Sequence, residues 1–463
     1  MKFILCLLFS FFVLAGASFA RKPNVILILA DDLGYAELGS YGQKKIKTPR
    51  LDQLAREGMR FTRHSSGSAV CAPTRCVLMT GLHTGHCRRR DNTAKAMIKE
   101  LSAKNGRPLV FLEKDDLTVA EALKGAGYVT GGIGKWGLGN PGSDGVPEKQ
   151  GFDYWYGYLD QVHAHDHFPE EIWDGGRMIQ IPENAGKAQR VYVPYEMERK
   201  TLSFIREHRD RPFFLYLAYT PPHGAYIIPK TDPTYAMYAG IPGGETVRHY
   251  AAMITRTDQT VGKVLDLLQE LSIDEDTIVF YTSDNGPNAP FIRAINSAAG
   301  LRGSKRMLYE GGIRAAMAVR WPGKVPTGVS SDFIWDMRDV FPTACELAGV
   351  EAPDHLDGMS VLPTLLGRQQ QSREMHYWEI HSPFHQAVRF GNWKGIRHGT
   401  KESMELYDLG ADPSETTDLA TLHPDIVGRI AQFMDGTRTD SPYFPTVEER
   451  PARGGGKKNR KKQ

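Results

Sequence analysis

The chain has 463 residues, of which 41% are hydrophobic and 24% charged, a composition typical of globular proteins and a length sufficient for one large and one smaller domain. Its formal net charge of +3 depends on six basic residues near the end of the chain: Arg453, Lys457, Lys458, Arg460, Lys461 and Lys462. Without this tail the chain is slightly acidic, which gives no indication of a nucleic-acid groove.

The first twenty residues have the pattern of a secretory signal peptide. Lys2 provides a positive start, residues 3–13 are hydrophobic, and small residues end at Ala20, after which we predict cleavage. The hydrophobic run is too short for a transmembrane helix, and no later segment has enough consecutive apolar residues. We therefore predict an exported protein, periplasmic or extracellular, without a membrane span.

Strand and helix patterns alternate through most of the chain. In chain order they predict strand 24–30, helix 48–58, helix 118–123, strand 128–133, strand 212–219, helix 245–271, strand 277–281, strand 315–321 and helix 338–348. This order predicts an α/β fold with a large, mostly parallel sheet flanked by helices. We assign residues 21–354 to this domain.

Beyond Asp354 the pattern changes to short strands. They are expected at residues 375–379, 386–390, 393–397 and 404–408, followed by a helix at 424–434. We therefore predict a small antiparallel sheet with one helix as a subdomain of residues 355–445. Residues 446–463 form the basic tail, which we expect to be disordered.

Polar residues follow four of the predicted strands at the point where each strand ends. They are Asp31, Asp32, Lys135, His223, Asp284 and Asn285. In open α/β sheets, ligands bind at the carboxyl ends of the strands. The three carboxylates and the carboxamide among these residues suit calcium, and without a cation the clustered carboxylates would repel one another.

Four cysteines remain once the signal peptide and Cys6 are removed: Cys71, Cys76, Cys87 and Cys345. They are too few for a disulfide framework, although a bridge between Cys76 and Cys87 is conceivable. No Cys-x-x-Cys pair indicates zinc.

The segment Cys71-Ala72-Pro73-Thr74-Arg75 is the most informative motif of the chain, and Leu78, Thr80 and Gly81 follow it. Pro73 suits the first turn of a helix, which places Cys71 near a helix N-terminus, where an anion is favoured. By itself the motif could equally mark a buried cysteine. With its context, it resembles the signature of the formylglycine-dependent type I sulfatases, which are arylsulfatase-like members of the alkaline phosphatase superfamily.

The resemblance implies a reaction and a set of site residues. In the family, a formylglycine-generating or radical maturating enzyme oxidises the cysteine to formylglycine, whose hydrate attacks the sulfur of a sulfate ester. Asp31, Asp32, Asp284 and Asn285 match the family's ligands for one calcium ion. Four further residues match catalytic positions: Arg75 to orient the hydrate, Lys135 and Lys305 to bind sulfate, and His223 to contact the ester oxygen and protonate the leaving alcohol.

Two features of the sequence leave questions open. Many family members carry a histidine two residues after the lysine that matches Lys135, where this chain has Gly137. Another residue or a water must therefore take over the role of that histidine. The alternating histidines at 163, 165 and 167 could form a second metal site, lie on the surface or contact sugar. Because Trp155, Tyr156 and Tyr158 precede them, we favour His163 and His165 as substrate-binding residues.

The predicted function is hydrolysis of a sulfate ester, with a sulfated carbohydrate as the expected substrate of an exported enzyme. A phosphonate or phosphate monoester hydrolase is one alternative, because it shares the superfamily scaffold. The other is a catalytically weak protein that binds sulfated glycan.

Overall fold

The structure is a computed structural model that describes residues 21–94 and 109–446. The predicted signal peptide and the predicted tail beyond residue 446 lie outside the described residues. The strands are β1 (Asn24–Ala30), β2 (Met59–Phe61), β3 (His64–Ser65), β4 (Val129–Lys135), β5 (Tyr154–Tyr158), β6 (Glu171–Asp174), β7 (Arg177–Gln180), β8 (Phe213–Ala218), β9 (Thr277–Ser283), β10 (Met317–Arg320), β11 (Val329–Ser331), β12 (Trp335–Asp336), β13 (Met375–His381), β14 (Phe384–Phe390), β15 (Trp393–Arg397) and β16 (Met404–Asp408). The helices are α1 (Pro49–Arg56), α2 (Cys71–Thr80), α3 (Val119–Gly125), α4 (Val193–His208), α5 (Pro233–Ala236), α6 (Gly244–Glu270), α7 (Ala289–Ile295), α8 (Glu310–Ile313), α9 (Val340–Ala348), α10 (Leu362–Leu365) and α11 (Pro424–Gly436).

A large sheet forms the centre of the molecule, with strand order β11-β2-β10-β9-β1-β8-β4-β5-β6-β7. Strands β9, β1, β8, β4 and β5 are parallel, whereas β10 pairs with β9, and β6 with β5, in the antiparallel sense. All residues of β1 and β9 are buried, as expected for parallel strands covered on both faces. The predicted fold class is confirmed, with a sheet that is parallel at its centre and mixed at its flanks.

Side chains of β1 alternate between two hydrophobic cores. Ile26 and Ile28 lie in the core that includes residues of α1, α4 and α6. Val25, Leu27 and Leu29 lie in the other core, with residues of α2, α3 and α9. The alternation follows from the two-residue period of a strand, and it explains why residues 25–30 are all apolar.

The C-terminal part is a four-stranded antiparallel sheet, in the order β13-β14-β15-β16, with helix α11 packed through Ile430 and Met434. The predicted small antiparallel sheet with one helix is therefore present. Strand β13 runs two residues beyond the predicted end, to His381.

Glu379 on β13 is a buried acid in this sheet. Arg90 Nη1 lies 3.1 Å from it, His381 Nε2 2.9 Å and Arg438 Nε 3.2 Å. Burial by itself would raise the pKa of the Glu379 carboxyl, but His381, Arg90 and Arg438 together lower it to about 2. The carboxylate is therefore held in its charged form by Arg90, which comes before the C-terminal sheet in the chain, and by His381 and Arg438 of the C-terminal part.

This shift predicts a loss of stability in acid. The folded pKa lies below the ordinary value of 4.5. The ionised Glu379 thus stabilises the fold fully above pH 4.5, and this stabilisation is lost as the pH falls towards 2. The free energy of unfolding falls by on the order of 3 kcal/mol over this window. Glu379→Gln is expected to flatten the pH dependence of the free energy of unfolding in this window, measured by urea titration at several pH values. Equal slopes for the variant and the natural protein would contradict the prediction.

Within residues 21–94 and 109–446, no helix combines the length and the apolar composition that crossing a bilayer demands. Cys71, Cys76, Cys87 and Cys345 are buried free thiols, so the conceivable bridge between Cys76 and Cys87 is not formed in this structure.

Candidate active site

The acidic residues after β1 and β9 meet at one edge of the sheet. These strands are parallel neighbours, and Ala30 pairs with Ser283, so the residues that follow lie side by side. Carboxylate oxygens of Asp31, Asp32 and Asp284 lie within 4.8 Å of one another, and all three residues are fully buried. The Asn285 side-chain amide donates to Asp32 Oδ1 at 2.8 Å. The structure therefore brings together the four predicted metal ligands.

Three basic side chains surround this acidic cluster. Lys135 Nζ, at the end of β4, lies 2.6 Å from Asp31 Oδ2, and Lys305 Nζ lies 2.5 Å from Asp32 Oδ1. Arg75 Nη2 lies 2.8 Å from Asp284 Oδ2. Each buried carboxylate is thus paired with a basic side chain, as a buried charge requires.

The electrostatics differ among the three carboxyl groups. Burial opposes ionisation of Asp31, but Lys135 and its other cationic neighbours hold its pKa well below the ordinary value. Burial and the Asp31 charge raise the pKa of Asp284 to about 7. The charge of Asp284 is therefore compensated less completely by its neighbours than the charge of Asp31.

The donor set fits a divalent cation. Asp31 Oδ1 and Asn285 Oδ1 are buried and have no hydrogen-bond partner within the described part of the chain. Both are hard oxygen atoms beside two further carboxylates, which is the environment that Ca²⁺ takes in proteins.

Cys71 is the first residue of helix α2, every residue of which is buried. Its Sγ lies 3.9 Å from Lys305 Nζ and 3.7 Å from Asn92 Nδ2. Arg75, one turn later, donates to the Lys135 carbonyl at 2.7 Å as well as binding Asp284. The helix therefore places the thiol beside the acidic cluster and anchors it there through Arg75.

Two histidines lie close to Cys71, and a ring nitrogen of His223 is within 4.8 Å of the Cys71 Sγ. His223 Nε2 is 3.2 Å from Lys305 Nζ and 3.4 Å from Asp32 Oδ2. The His165 ring stacks on His223 with 4.3 Å between centroids. Burial lowers the pKa of both histidines, and with the neighbouring His223 it brings that of His165 to about 3.

A cavity of about 600 Å³ opens over the cluster. Its wall includes Cys71, His223, Lys305 and His165. His163 is not among its lining residues and packs edge-on against Tyr158 instead. The aromatic residues before the histidines are core: Trp155, Tyr156 and Tyr158 are at most 3% exposed. These buried rings offer no face to a sugar, so they do not support the choice of His163 and His165 as substrate-binding residues.

The cavity wall also contains residues that the sequence analysis did not identify. They are Asn92, Gln161, Tyr226, Asn288 and Arg306. Asn288 donates from Nδ2 to Asp32 Oδ2 at 2.8 Å and to the Tyr226 hydroxyl at 2.9 Å. Only Arg306, which directly follows Lys305, lies in a motif that the sequence analysis used, and it was not singled out there. For the others, only the absence of a histidine at 137 indicated that another group was needed.

A doubly covered sheet, an acidic cluster at its carboxyl edge and a thiol on the adjoining helix define an ester hydrolase of the alkaline-phosphatase type. The sulfatase family profile matches residues 23–350, and that of the N-sulphoglucosamine sulphohydrolase C-terminal region matches residues 303–432. The chain belongs to the sulfatase family and is a sulfuric ester hydrolase.

Named relatives and solved structures agree with this assignment. The chain is 32% identical to arylsulfatase A of Bos taurus, covering 86% of this chain and 79% of that protein. It is 28% identical to an N-acetylgalactosamine-6-O-sulfatase of Bacteroides thetaiotaomicron, covering 91% and 94%. The crystal structure of Ps i-CgsB in complex with k-i-k-neocarrahexaose superimposes with a TM-score of 0.80 at 26% identity, covering 93% and 96%.

Proposed function

We propose that this enzyme hydrolyses sulfate esters of carbohydrates, with a formylglycine made from Cys71 as its nucleophile. The observation that carries the proposal is the position of Cys71 Sγ, 3.9 Å from Lys305 Nζ and on the same cavity wall as Asp32. A nucleophile at this place faces a basic side chain that can neutralise an incoming sulfate, beside a cluster suited to a cation.

The surrounding side chains have separate roles in sulfate binding, in positioning residue 71 and in proton transfer. Lys135 and Lys305 provide positive charge for the sulfuryl oxygens, where negative charge accumulates during displacement. Arg75 holds residue 71 in place through the start of α2. His223, next to Lys305, is placed to donate a proton to the leaving alcohol oxygen.

Asp31, Asp32, Asp284 and Asn285 would hold one calcium ion. The ion would supply a positive charge that binds a sulfate oxygen and withdraws electrons from sulfur. The unpaired Oδ1 atoms of Asp31 and Asn285 support this assignment.

Removal of the metal tests the calcium site. Exhaustive treatment with a chelator is expected to lower the rate of sulfate release more than about tenfold, and added Ca²⁺ to restore it. In the natural protein Ca²⁺ is also expected to raise the melting temperature by mass action, whereas in Asp31→Asn it raises it much less. Full activity after chelation, with no metal detected by elemental analysis, would contradict the assignment.

The substrate proposal rests on the relatives. The relative from Bacteroides thetaiotaomicron is named an N-acetylgalactosamine-6-O-sulfatase. Ps i-CgsB was solved in complex with k-i-k-neocarrahexaose. Both names refer to carbohydrates. The cavity of about 600 Å³ has room for a sugar residue above the cluster. His165 lines this cavity, so we propose it as a sugar contact; for His163 the proposal has less support.

Free-sulfate release across a panel of sulfated mono- and oligosaccharides tests the function. Protein co-expressed with a maturation enzyme is compared with Cys71→Ala, and phosphonate and phosphate monoesters form a second arm. Release from a sulfated sugar, lost in Cys71→Ala, is the expected result. Faster cleavage of the phosphonates would favour the alternative hydrolase. Tight glycan binding without turnover would favour the weak binder.

We also propose that the protein is exported and meets a formylglycine-generating or radical maturating enzyme during biogenesis. The pattern of residues 1–20 and the motif at Cys71 support this. Mass spectrometry of the protein from its native host, at the N-terminus and at the peptide containing residue 71, would test cleavage after Ala20 and conversion of Cys71 together.

A further inference from the structure

The side chain of Gln161 fills the space beside Gly137. Gly137 has a φ of 82°, and a Cβ placed there would lie 1.6 Å from Gln161 Nε2. A side chain at 137 therefore requires the Gln161 carboxamide to leave the place that it occupies here. Both polar atoms of the Gln161 carboxamide are buried without a hydrogen-bond partner in the described chain, an arrangement that is costly unless a bound molecule completes it.

Asn92 makes the closest carboxamide contact with the nucleophile position. Its Nδ2 lies 3.7 Å from Cys71 Sγ. Its Oδ1 accepts a hydrogen bond from the Ala72 amide at 3.0 Å, which determines the orientation of the carboxamide. The N–H donor of Asn92 is thus directed at residue 71 before any substrate is bound.

A buried arginine connects the Asn92 turn to the Gly137 turn. Arg89, 1% exposed, donates to the Asn92 carbonyl at 2.8 Å and to the Gly137 carbonyl at 2.6 Å. It also donates to the Val110 carbonyl at 3.1 Å. These bonds hold both turns in one geometry, as a pre-organised site requires.

We propose that Asn92 is the residue that orients the nucleophile at position 71 in this chain, while Gln161 occupies the space that a side chain at 137 would take. The inference rests on the proposed function, because Cys71 Sγ stands for a hydroxyl oxygen of the hydrated formylglycine. Asn92 Nδ2 donates a hydrogen bond to that oxygen. A carboxamide cannot take up a proton near neutral pH, so Asn92 acts by orientation and by stabilising the hydrate, not as a base.

The decisive variant is Asn92→Asp. It retains the shape and the oxygen that binds the Ala72 amide, and it replaces the N–H donor with a carboxylate oxygen that carries negative charge. We expect kcat per formylglycine to fall about 10²-fold, the effect of losing a pre-organised donor, and KM to rise because the new carboxylate repels the sulfate group. Asn92→Ala, which removes the donor without adding a charge, is expected to lower kcat alike with KM changed little. Gln180→Ala, an exposed glutamine on β7, serves as the control with activity unchanged.

A second readout does not depend on turnover. Loss of the hydrogen bond shifts the equilibrium of residue 71 from the hydrate towards the free aldehyde, which is the form that an aminooxy probe labels. The probe should therefore label residue 71 about fivefold faster in Asn92→Asp. Intact-protein mass spectrometry measures the rate of labelling. Equal labelling rates at equal formylglycine content would overturn the inference, whether or not the natural protein releases sulfate. A kcat within twofold of the natural protein in an active preparation would also overturn it. Absence of sulfate release from the natural protein, with labelling shifted as expected, would count against the proposed function alone.

Discussion

Cys71→Ala is expected to abolish sulfate release and to leave the fold intact. If the nucleophile is made from this side chain, its removal should lower the rate at least about 10³-fold, as the loss of a nucleophile does in other enzymes. The substitution removes one sulfur atom at the first residue of α2. The anchoring contacts of Arg75 with Asp284 and with the Lys135 carbonyl remain. The measurement is sulfate release with the best substrate of the panel, together with thermal unfolding.

Cys76→Ala is the matched control for this prediction. Cys76 lies in the next turn of the same helix and is equally buried, but it does not line the cavity. It should retain sulfate release with a small loss of stability. Equal activities of Cys71→Ala and the natural protein would exclude residue 71 as the source of the nucleophile.

Lys394→Met is expected to lower the free energy of unfolding by about 3–5 kcal/mol, the cost of breaking a buried ion pair from one side. Lys394 Nζ on β15 lies 2.9 Å from both Glu310 Oε1 and Glu415 Oε1, and all three residues are buried. Burial opposes the charge of Glu310, yet Arg314 and Lys394 hold its pKa far below the ordinary value. Without Lys394, the two buried carboxylates repel each other, and only the neighbouring Arg314 and Arg389 remain to compensate their charge.

Urea-induced unfolding measures this effect, with Lys149→Met as the control. Lys149 pairs with Asp144 at 2.7 Å, but both side chains are more than half exposed. Its loss should leave the free energy of unfolding almost unchanged, because solvent screens an exposed ion pair. If both variants lose the same small amount of unfolding free energy, the buried ion pairs of Lys394 do not stabilise the fold as expected.

The alternation of strands and helices was sufficient to predict the fold class. Runs such as residues 25–30 are apolar throughout because both faces of a central strand are covered, and this leaves a clear pattern in the sequence. Helix α4 was not predicted from the sequence. The antiparallel flanks of the sheet depend on pairing between distant short strands, for which single-strand patterns contain no information.

The sequence by itself determined the family resemblance, the order of the elements and which polar residues follow strand ends, because these properties are local and periodic. Only the tertiary structure decided that Asn92 lies beside Cys71, that Gln161 fills the space beside Gly137 and that His163 lies away from the cavity lining. The physical reason is that these relations join loops from different elements. Their geometry follows from the packing of the sheet and from buried groups such as Arg89, and no spacing along the chain specifies it.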